Sequence, residues 1–327
     1  MSSIVFLEVD AEDRAAVAEA FPQAMIADHA LSDDALVAAC KDAEIVSCFI
    51  YSAFSKNVLA SLPKLKLLCT RSVGFNHIDL DACNKQGITV CHVPDYGSHV
   101  IAEHVFALLL GTLRHIGEAD ARTEQGEFDY HGLRGISLRG KTIGIIGTGK
   151  IGRHVAEIAH GFGMSMLAVD KCRTVELERQ YGVQYGDLNT VLAGSDIISL
   201  HLPSTAETQH MINADVLSRM KSGVILINTA RGELIDSSAL LGALQSGHVR
   251  YALLDVLEHE KNFSENKALI GHPNVVTTPH IAFYAEESMH NMYDDALRSI
   301  VEWQAGKEPA HIVHPVSIIC DLPGVRK

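Results

Sequence analysis

Residues 141–170 read KTIGIIGTGKIGRHVAEIAHGFGMSMLAVD. An apolar, β-branched run (Ile143, Ile145, Ile146) stops at Gly147, and Gly149 and Gly152 follow at G-x-G-x-x-G spacing. A helical stretch and a second apolar run come next, and that run closes on Asp170, 18 residues after Gly152. Glycine-rich turns are common, so the spacing alone says little. Set between a strand and a helix, with an acid closing the second strand, it marks a βαβ unit that binds a dinucleotide. Gly147 permits the tight turn, Gly149 lets a pyrophosphate approach the backbone, and Gly152 lets helix and strand pack closely. Thr148, Lys150 and Ile151 fill the loop between the glycines. The helix that begins there offers free N–H groups and a positive dipole end to phosphates. Asp170 can accept both hydroxyls of an adenosine ribose, and its charge repels a 2′-phosphate. Lys171 and Arg173 flank it and soften that repulsion, but Asp170 dominates, so NAD is the expected cofactor.

The chain has 327 residues, more than one typical domain, so two domains are expected. Hydrophobic residues make up 47% and charged residues 20%, the balance of a globular enzyme. A formal net charge of −13 argues against nucleic acid or an anionic membrane as partner. Seven cysteines lie scattered without C-x-x-C spacing, mostly within apolar runs. They read as buried, reduced thiols of a cytoplasmic protein. No basic segment followed by a long apolar one opens the chain, so no signal peptide is expected. Val105–Leu110 is too short an apolar run to span a bilayer. The 18 histidines show no H-E-x-x-H or similar spacing, so no metal is expected.

Upstream of the glycine loop, short apolar runs at Ile4–Val9, Ile45–Ile50, Leu65–Thr70 and Thr89–His92 alternate with helical segments. That alternation predicts a parallel sheet in the first 97 residues or so. Ser98–Arg114 opens with a serine and is apolar on most faces, which predicts a buried helix passing from one domain to the other. Gly117–Gly140 is polar and weakly periodic; it reads as an extended arm or a surface loop. Beyond Asp170, apolar runs end in turn on His201-Leu202-Pro203, on Asn228-Thr229-Ala230-Arg231-Gly232, on Asp255 and on Pro279-His280. Ligands of open α/β sheets bind beyond the carboxyl ends of the strands. Gly147, Asp170, Pro203, Arg231, Asp255 and His280 are therefore expected to converge on one crevice. Glu286–Gly306 reads as a helix, and 307–327 as a return to the first domain. The expected fold is α/β, two Rossmann-like or flavodoxin-like doubly wound parallel-sheet domains with a cleft between them. Residues 1–97 plus 285–327 form a discontinuous substrate domain, and 98–284 the NAD-binding domain.

With a nicotinamide as hydride carrier, the chain must bind a substrate, polarise its carbonyl and move one proton. Arg231 has a planar fork that holds a carboxylate bidentately. His280 titrates near neutrality and suits giving and taking a proton. A carboxylate against His280 fixes its tautomer and favours the protonated acid, and Glu260 stands shortly after the Asp255 strand. The backbone N–H groups of Ser72-Val73-Gly74 can complete carboxylate binding, since that glycine follows the Leu65–Thr70 strand.

These residues resemble the D-isomer-specific 2-hydroxyacid dehydrogenases. The matching pieces are R-S-V-G at 71–74, I-A-E-H at 101–104, G-T-G-K-I-G at 147–152, Asp170, H-L-P at 201–203, N-T-A-R-G at 228–232, L-D-V-x-E-x-E at 254–260 and T-P-H at 278–280. The resemblance implies Arg231, Glu260 and His280 as the catalytic arginine, glutamate and acid/base histidine. It also implies cofactor contacts from Gly147 through Gly152, Asp170, His201, Leu202, Pro203, Thr208, Thr229, Ala230, Arg231, Asp255 and His280, and a homodimer joined through the nucleotide domains. H-I-A-F-Y at 280–284 and His210-Met211-Ile212-Asn213 are similar to the D-lactate and D-2-hydroxyisocaproate branch. There residues matching Tyr96 and Phe283 lie near the substrate, beside Ser72, Val73, Gly74, Arg231 and His280. Lys261 departs from the proline usual after the glutamate. The implied reaction is reversible reduction of a small 2-oxo acid to the (R)-2-hydroxy acid with NADH. Glyoxylate, hydroxypyruvate or phosphite as substrate, and an NAD-sensing, corepressor-like binding protein, are the rivals. Formate oxidation is disfavoured, because that branch carries glutamine where Glu260 stands.

Overall fold

The structure is a computed structural model that describes residues 3–260 and 262–313. The described chain divides into two compact units, one of 3–97 with 285–313 and one of 98–284.

The first unit holds β1 (Ile4–Phe6), β2 (Met25–Ile26), β3 (Ile45–Cys48), β4 (Leu67–Thr70) and β5 (Thr89–Cys91). They form one parallel sheet in the order β2-β1-β3-β4-β5, a doubly wound, flavodoxin-like arrangement. Every residue of β3 and β4 is buried, as strands covered on both faces require. Val5, Val46, Leu68 and Val90 pack in one apolar layer with Leu36, Val58 and Leu59 of the flanking helices and with Leu62 just after them. Residues 311–313 return antiparallel along β5, where Ile312 bridges Cys91. The remainder of the returning segment, 314–327, lies outside the described residues.

The second unit holds β6 (Thr142–Ile146), β7 (Ser165–Val169), β8 (Gln184–Tyr185), β9 (Ile197–Leu200), β10 (Val224–Asn228), β11 (Val249–Leu254) and β12 (Val275–Thr277). Its seven strands are parallel in the order β12-β11-β10-β9-β6-β7-β8. Strand order reverses between β6 and β9, the topological switch point of a Rossmann sheet. Successive residues of β10 divide between two apolar layers. Ile225 and Ile227 pack with Val155, Ala156 and Leu109, while Val224 and Leu226 pack with Leu217, Leu240 and Leu244.

The helix Ser98–Leu113 buries Ala102, Val105, Phe106 and Leu109. Ser98 is already helical, not a cap. The expectation for 117–140 is corrected in part. A helix, Ile116–Glu124, occupies its start with no residue buried. Glu118 and Arg122 pair one turn apart there, and Arg122 also donates to His131 O (2.9 Å). Such pairs support a helix that lacks the apolar stripe by which helices are usually recognised in sequence. Among the described residues, no single helix is long and apolar enough to cross a membrane. Cys40, Cys48, Cys69, Cys83 and Cys91 are buried free thiols, but Cys172 is disulfide-bonded, which corrects the expectation of reduced thiols throughout. Burial pushes Cys40 and Cys91 up to about 12 and Cys83 to about 11, so all three stay protonated.

Candidate active site

The switch point carries the glycine loop. Gly147, with φ +96°, ends β6 against β9, and a Cβ there would stand 2.5 Å from His201 O. Gly152 lies within the helix Lys150–Gly161, where a Cβ would meet Gly147 O at 2.1 Å. Helix and strand are thus in contact at a point where only glycine fits. Gly149 is the N-cap of that helix and has no side chain to cap it, and a Cβ on Gly149 would meet nothing within 4 Å. Open space at a positive helix end is what a pyrophosphate needs.

Asp170 stands beyond β7. Its Oδ2 accepts from Thr148 N (2.5 Å) and Thr148 Oγ1 (3.1 Å), and its Oδ1 accepts from Cys172 N (2.7 Å). The Thr148 hydroxyl in turn accepts from Tyr185 OH (2.9 Å), a partner on β8 that the sequence does not announce. These bonds hold the carboxylate beside the glycine loop. Burial of the His201 ring pushes its pKa down to about 3 and keeps it neutral. Its Nε2 meets Ser199 Oγ at 2.9 Å. Leu202 and Pro203 continue into a turn in which Thr208 Oγ1 donates to Pro203 O (2.7 Å). Thr229 is buried, and its Oγ1 has no hydrogen-bond partner among the described residues. An orphaned hydroxyl beyond β10, with the uncapped helix at Gly149, fits a bound dinucleotide.

Arg231 follows β10 on a turn built by Asn228. The buried Asn228 side chain donates to Arg231 O (2.8 Å) and accepts from Ala230 N (3.0 Å). Arg231 Nη1 donates to Ala230 O (2.6 Å), and the guanidinium pairs with no carboxylate among the described residues. A half-buried arginine anchored at one nitrogen and unpaired elsewhere suits an external anion.

His280 sits just past β12 at φ +56°, a conformation sparsely used by non-glycine residues. Its backbone N–H donates to Asp255 O (2.9 Å) and to Thr278 O (3.0 Å). Asp255, 1% exposed, accepts at Oδ1 from Thr278 Oγ1 (2.5 Å) and Ile281 N (2.9 Å), and at Oδ2 from Ala282 N (2.9 Å). Its carboxylate therefore clamps the turn that presents His280. His104, from the helix Ser98–Leu113, donates to Thr278 Oγ1 (3.1 Å) beneath it. On the outer side His280 Nδ1 donates to Glu260 Oε2 (3.1 Å), which leaves Nε2 as the nitrogen facing away from the pair. The Phe283 ring stands edge-on to His280 at 6.3 Å.

In the first unit, Ser72 Oγ donates to Gly74 O (2.6 Å) and lies 2.7 Å from Thr70 Oγ1, which shapes the loop after β4. His92 Nδ1 donates to Val73 O (3.0 Å). Among the described residues, neither Val73 N nor Gly74 N donates to a backbone acceptor. Tyr96 is buried. Arg71, in the same R-S-V-G piece, is fully buried and donates to Ser47 Oγ, Leu7 O and Glu8 O. It fastens three strand ends together. No group of histidine, cysteine and carboxylate side chains among the described residues could hold a metal ion.

The family profile described as "D-isomer specific 2-hydroxyacid dehydrogenase, NAD binding domain" matches residues 106–282. A "2-hydroxyacid dehydrogenase homolog" of Haemophilus influenzae is 38% identical over 286 residues, 83% of this chain and 86% of its own. A glyoxylate reductase of Thermococcus litoralis is 37% identical over 84% of each chain. The structure of Aquifex aeolicus D-lactate dehydrogenase complexed with NAD and lactic acid is similar with a TM-score of 0.87. It is 35% identical, covering 96% of this chain and all of that one. The chain belongs to the D-isomer-specific 2-hydroxyacid dehydrogenases, NAD-binding oxidoreductases that act on the CH–OH group of small 2-hydroxy acids.

Proposed function

We propose that the chain reversibly reduces a small 2-oxo acid to the (R)-2-hydroxy acid with NADH, in the manner of a D-lactate dehydrogenase. The observation that carries this reading is the Glu260–His280 pair, a carboxylate 3.1 Å from an imidazole on a strained turn past the sheet. Arg231, unpaired beyond the neighbouring strand β10, complements it. Arg231 holds the substrate carboxylate and polarises the 2-oxo group. Bound NADH supplies the hydride that C2 receives. His280 gives its Nε2 proton to the developing alkoxide, while Glu260 holds Nδ1–H and stabilises the imidazolium that donates. In the oxidising direction the same nitrogen takes the proton back. Asp255 and Thr278 keep the imidazole in place throughout. The roles assigned to Ser72, Val73, Gly74, Tyr96 and Phe283 belong to this proposal. Their support is local: two adjacent amides after β4 that donate to no backbone acceptor among the described residues, and an aromatic edge beside His280. Five buried free thiols accord with a reducing, cytoplasmic setting, and the disulfide-bonded Cys172 speaks against it.

A panel of glyoxylate, pyruvate, hydroxypyruvate, oxaloacetate and branched or aryl 2-oxo acids, each with NADH and NADPH, tests the reading by absorbance at the nicotinamide band. Turnover is expected on at least one acid, with NADH preferred because Asp170 opposes a 2′-phosphate. No turnover on any member overturns the assignment, and relatives bearing the glyoxylate reductase name make glyoxylate the first acid to try.

A homodimer is expected through the second unit. Phe128 and Tyr130, on the segment after the helix Ile116–Glu124, are 96% and 79% exposed, which a partner's surface would relieve. Light scattering should give twice the chain mass, falling to one chain mass in the Phe128→Ser, Tyr130→Ser double variant. A monomeric unmodified protein removes this expectation.

A further inference from the structure

Glu258 stands two residues before Glu260 in D-V-L-E-H-E-K, where it reads as one more member of a solvated charge run. The structure gives it another position. Its side chain is only 15% exposed, and both carboxylate oxygens are engaged. Oε1 accepts from His210 Nε2 at 2.5 Å, and Oε2 accepts from Ser237 N at 3.0 Å. Its backbone carbonyl accepts from the buried side chain of Asn266 (2.6 Å). The segment that carries Glu260 is thereby tied to three others: the turn after β9 through His210, the start of the helix Ser237–Gln245 through Ser237, and the helix Phe263–Ile270 through Asn266.

Two observations show that this joint is under constraint. His210 and His259 adopt φ +49° each, and with His280 they make three of the five non-glycine residues at positive φ among the described residues. Such conformations persist where surrounding contacts over-determine them. Gly232, next to Arg231, lies so close to the same segment that a Cβ would stand 2.0 Å from the carbonyl carbon of Leu257. The backbone between Asp255 and Glu260 is thus pressed against the arginine turn on one side and held by His210 and Asn266 on the other.

We infer that Glu258 and His210 are positioning residues, whose contact fixes the backbone that aims Glu260 at His280. The inference rests on the acid–base reading of Glu260 and His280 given above. The electrostatics agree with the geometry. The hydrogen bond to Glu258 raises the pKa of His210; partial burial opposes it, and the charges of Glu258 and Asp236 add to it. Burial pulls the Glu258 carboxyl up, yet the hydrogen bonds from His210 and Ser237 outweigh it and leave the group below its ordinary value. Each shift favours the charged form of its group, the direction that their contact needs.

A double-mutant cycle tests this with Glu258→Gln and Glu260→Gln, measured as kcat for reduction of the best 2-oxo acid. NADH affinity by fluorescence quenching and Tm are followed alongside. Glu258→Gln should lower kcat about 10- to 100-fold, the scale of a displacement near 1 Å at a reacting group. NADH affinity should stay unchanged. In the Glu260→Gln background the same substitution should cost nothing further, since a positioning residue has no effect once the group it positions is gone. His210→Asn, which tolerates positive φ but cannot reach Glu258, should reproduce the loss, and it replaces Glu258→Gln if that variant does not fold. A wild-type kcat in Glu258→Gln, or the full loss repeated in the Glu260→Gln background, overturns the positioning role alone. A wild-type kcat in Glu260→Gln overturns the acid–base reading and the positioning role with it.

Discussion

Replacing His280 with alanine is expected to lower kcat for 2-oxo acid reduction by about 10²–10⁴-fold, the usual worth of a positioned general acid. Glu260 engages Nδ1 at 3.1 Å, so the imidazole has one nitrogen left for proton transfer, and no other titratable side chain stands in that contact. The backbone around it is fixed independently, by Asp255 O, by Thr278 O and by the Asp255 carboxylate on the following two amides. Loss of the imidazole should therefore leave NADH binding close to that of the unmodified protein. Alanine at φ +56° carries some strain of its own, so His280→Asn serves as the companion variant, asparagine being more at ease in that region. Near-normal turnover in both variants would remove His280 from the chemistry.

The second large effect is expected at Arg231. Arg231→Lys should cut kcat/KM by about 10²–10³-fold, the cost of losing one preorganised donor to a developing oxyanion. KM for the oxo acid should rise as well as kcat fall, because one guanidinium serves both carboxylate and carbonyl in the proposed reaction. Lysine keeps the charge but not the fork. It also cannot spend one nitrogen on Ala230 O, as Arg231 Nη1 does at 2.6 Å, and still present two donors in a plane. Steady-state kinetics separate the two parameters. An unchanged KM would detach Arg231 from the substrate carboxylate, even if kcat fell.

Most strands of the fold are legible in the chain because parallel strands buried on both faces are near-continuous apolar runs. Ile197–Leu200 and Leu67–Thr70 are buried throughout. The elements that escape notice are those without such a run. Met25–Ile26 and Gln184–Tyr185 are two residues long, and the helix Ile116–Glu124 buries nothing. The carboxyl-end positions Arg231, Asp255 and His280 can be picked out from strand ends alone. What those side chains do with one another cannot, because each bond depends on partners far away in the chain. Asp255 illustrates the difference. It reads as a cofactor contact, and the structure has its carboxylate fully engaged in holding the His280 turn, 23 to 27 residues downstream.

The stretch 141–170 by itself pointed to the dinucleotide loop and to NAD as its cofactor. Strand, glycines, helix and acid are neighbours in sequence, so local geometry leaves little freedom. Only the tertiary structure decided which of the two glutamates in L-E-H-E meets His280 and which is held by His210 and Ser237. Glu258 meets His210 across 48 residues and Glu260 meets His280 across 20. Whether a charged side chain is solvated or paired is set by what packs against it. That is a property of the folded neighbourhood, and it leaves no periodic mark in the sequence.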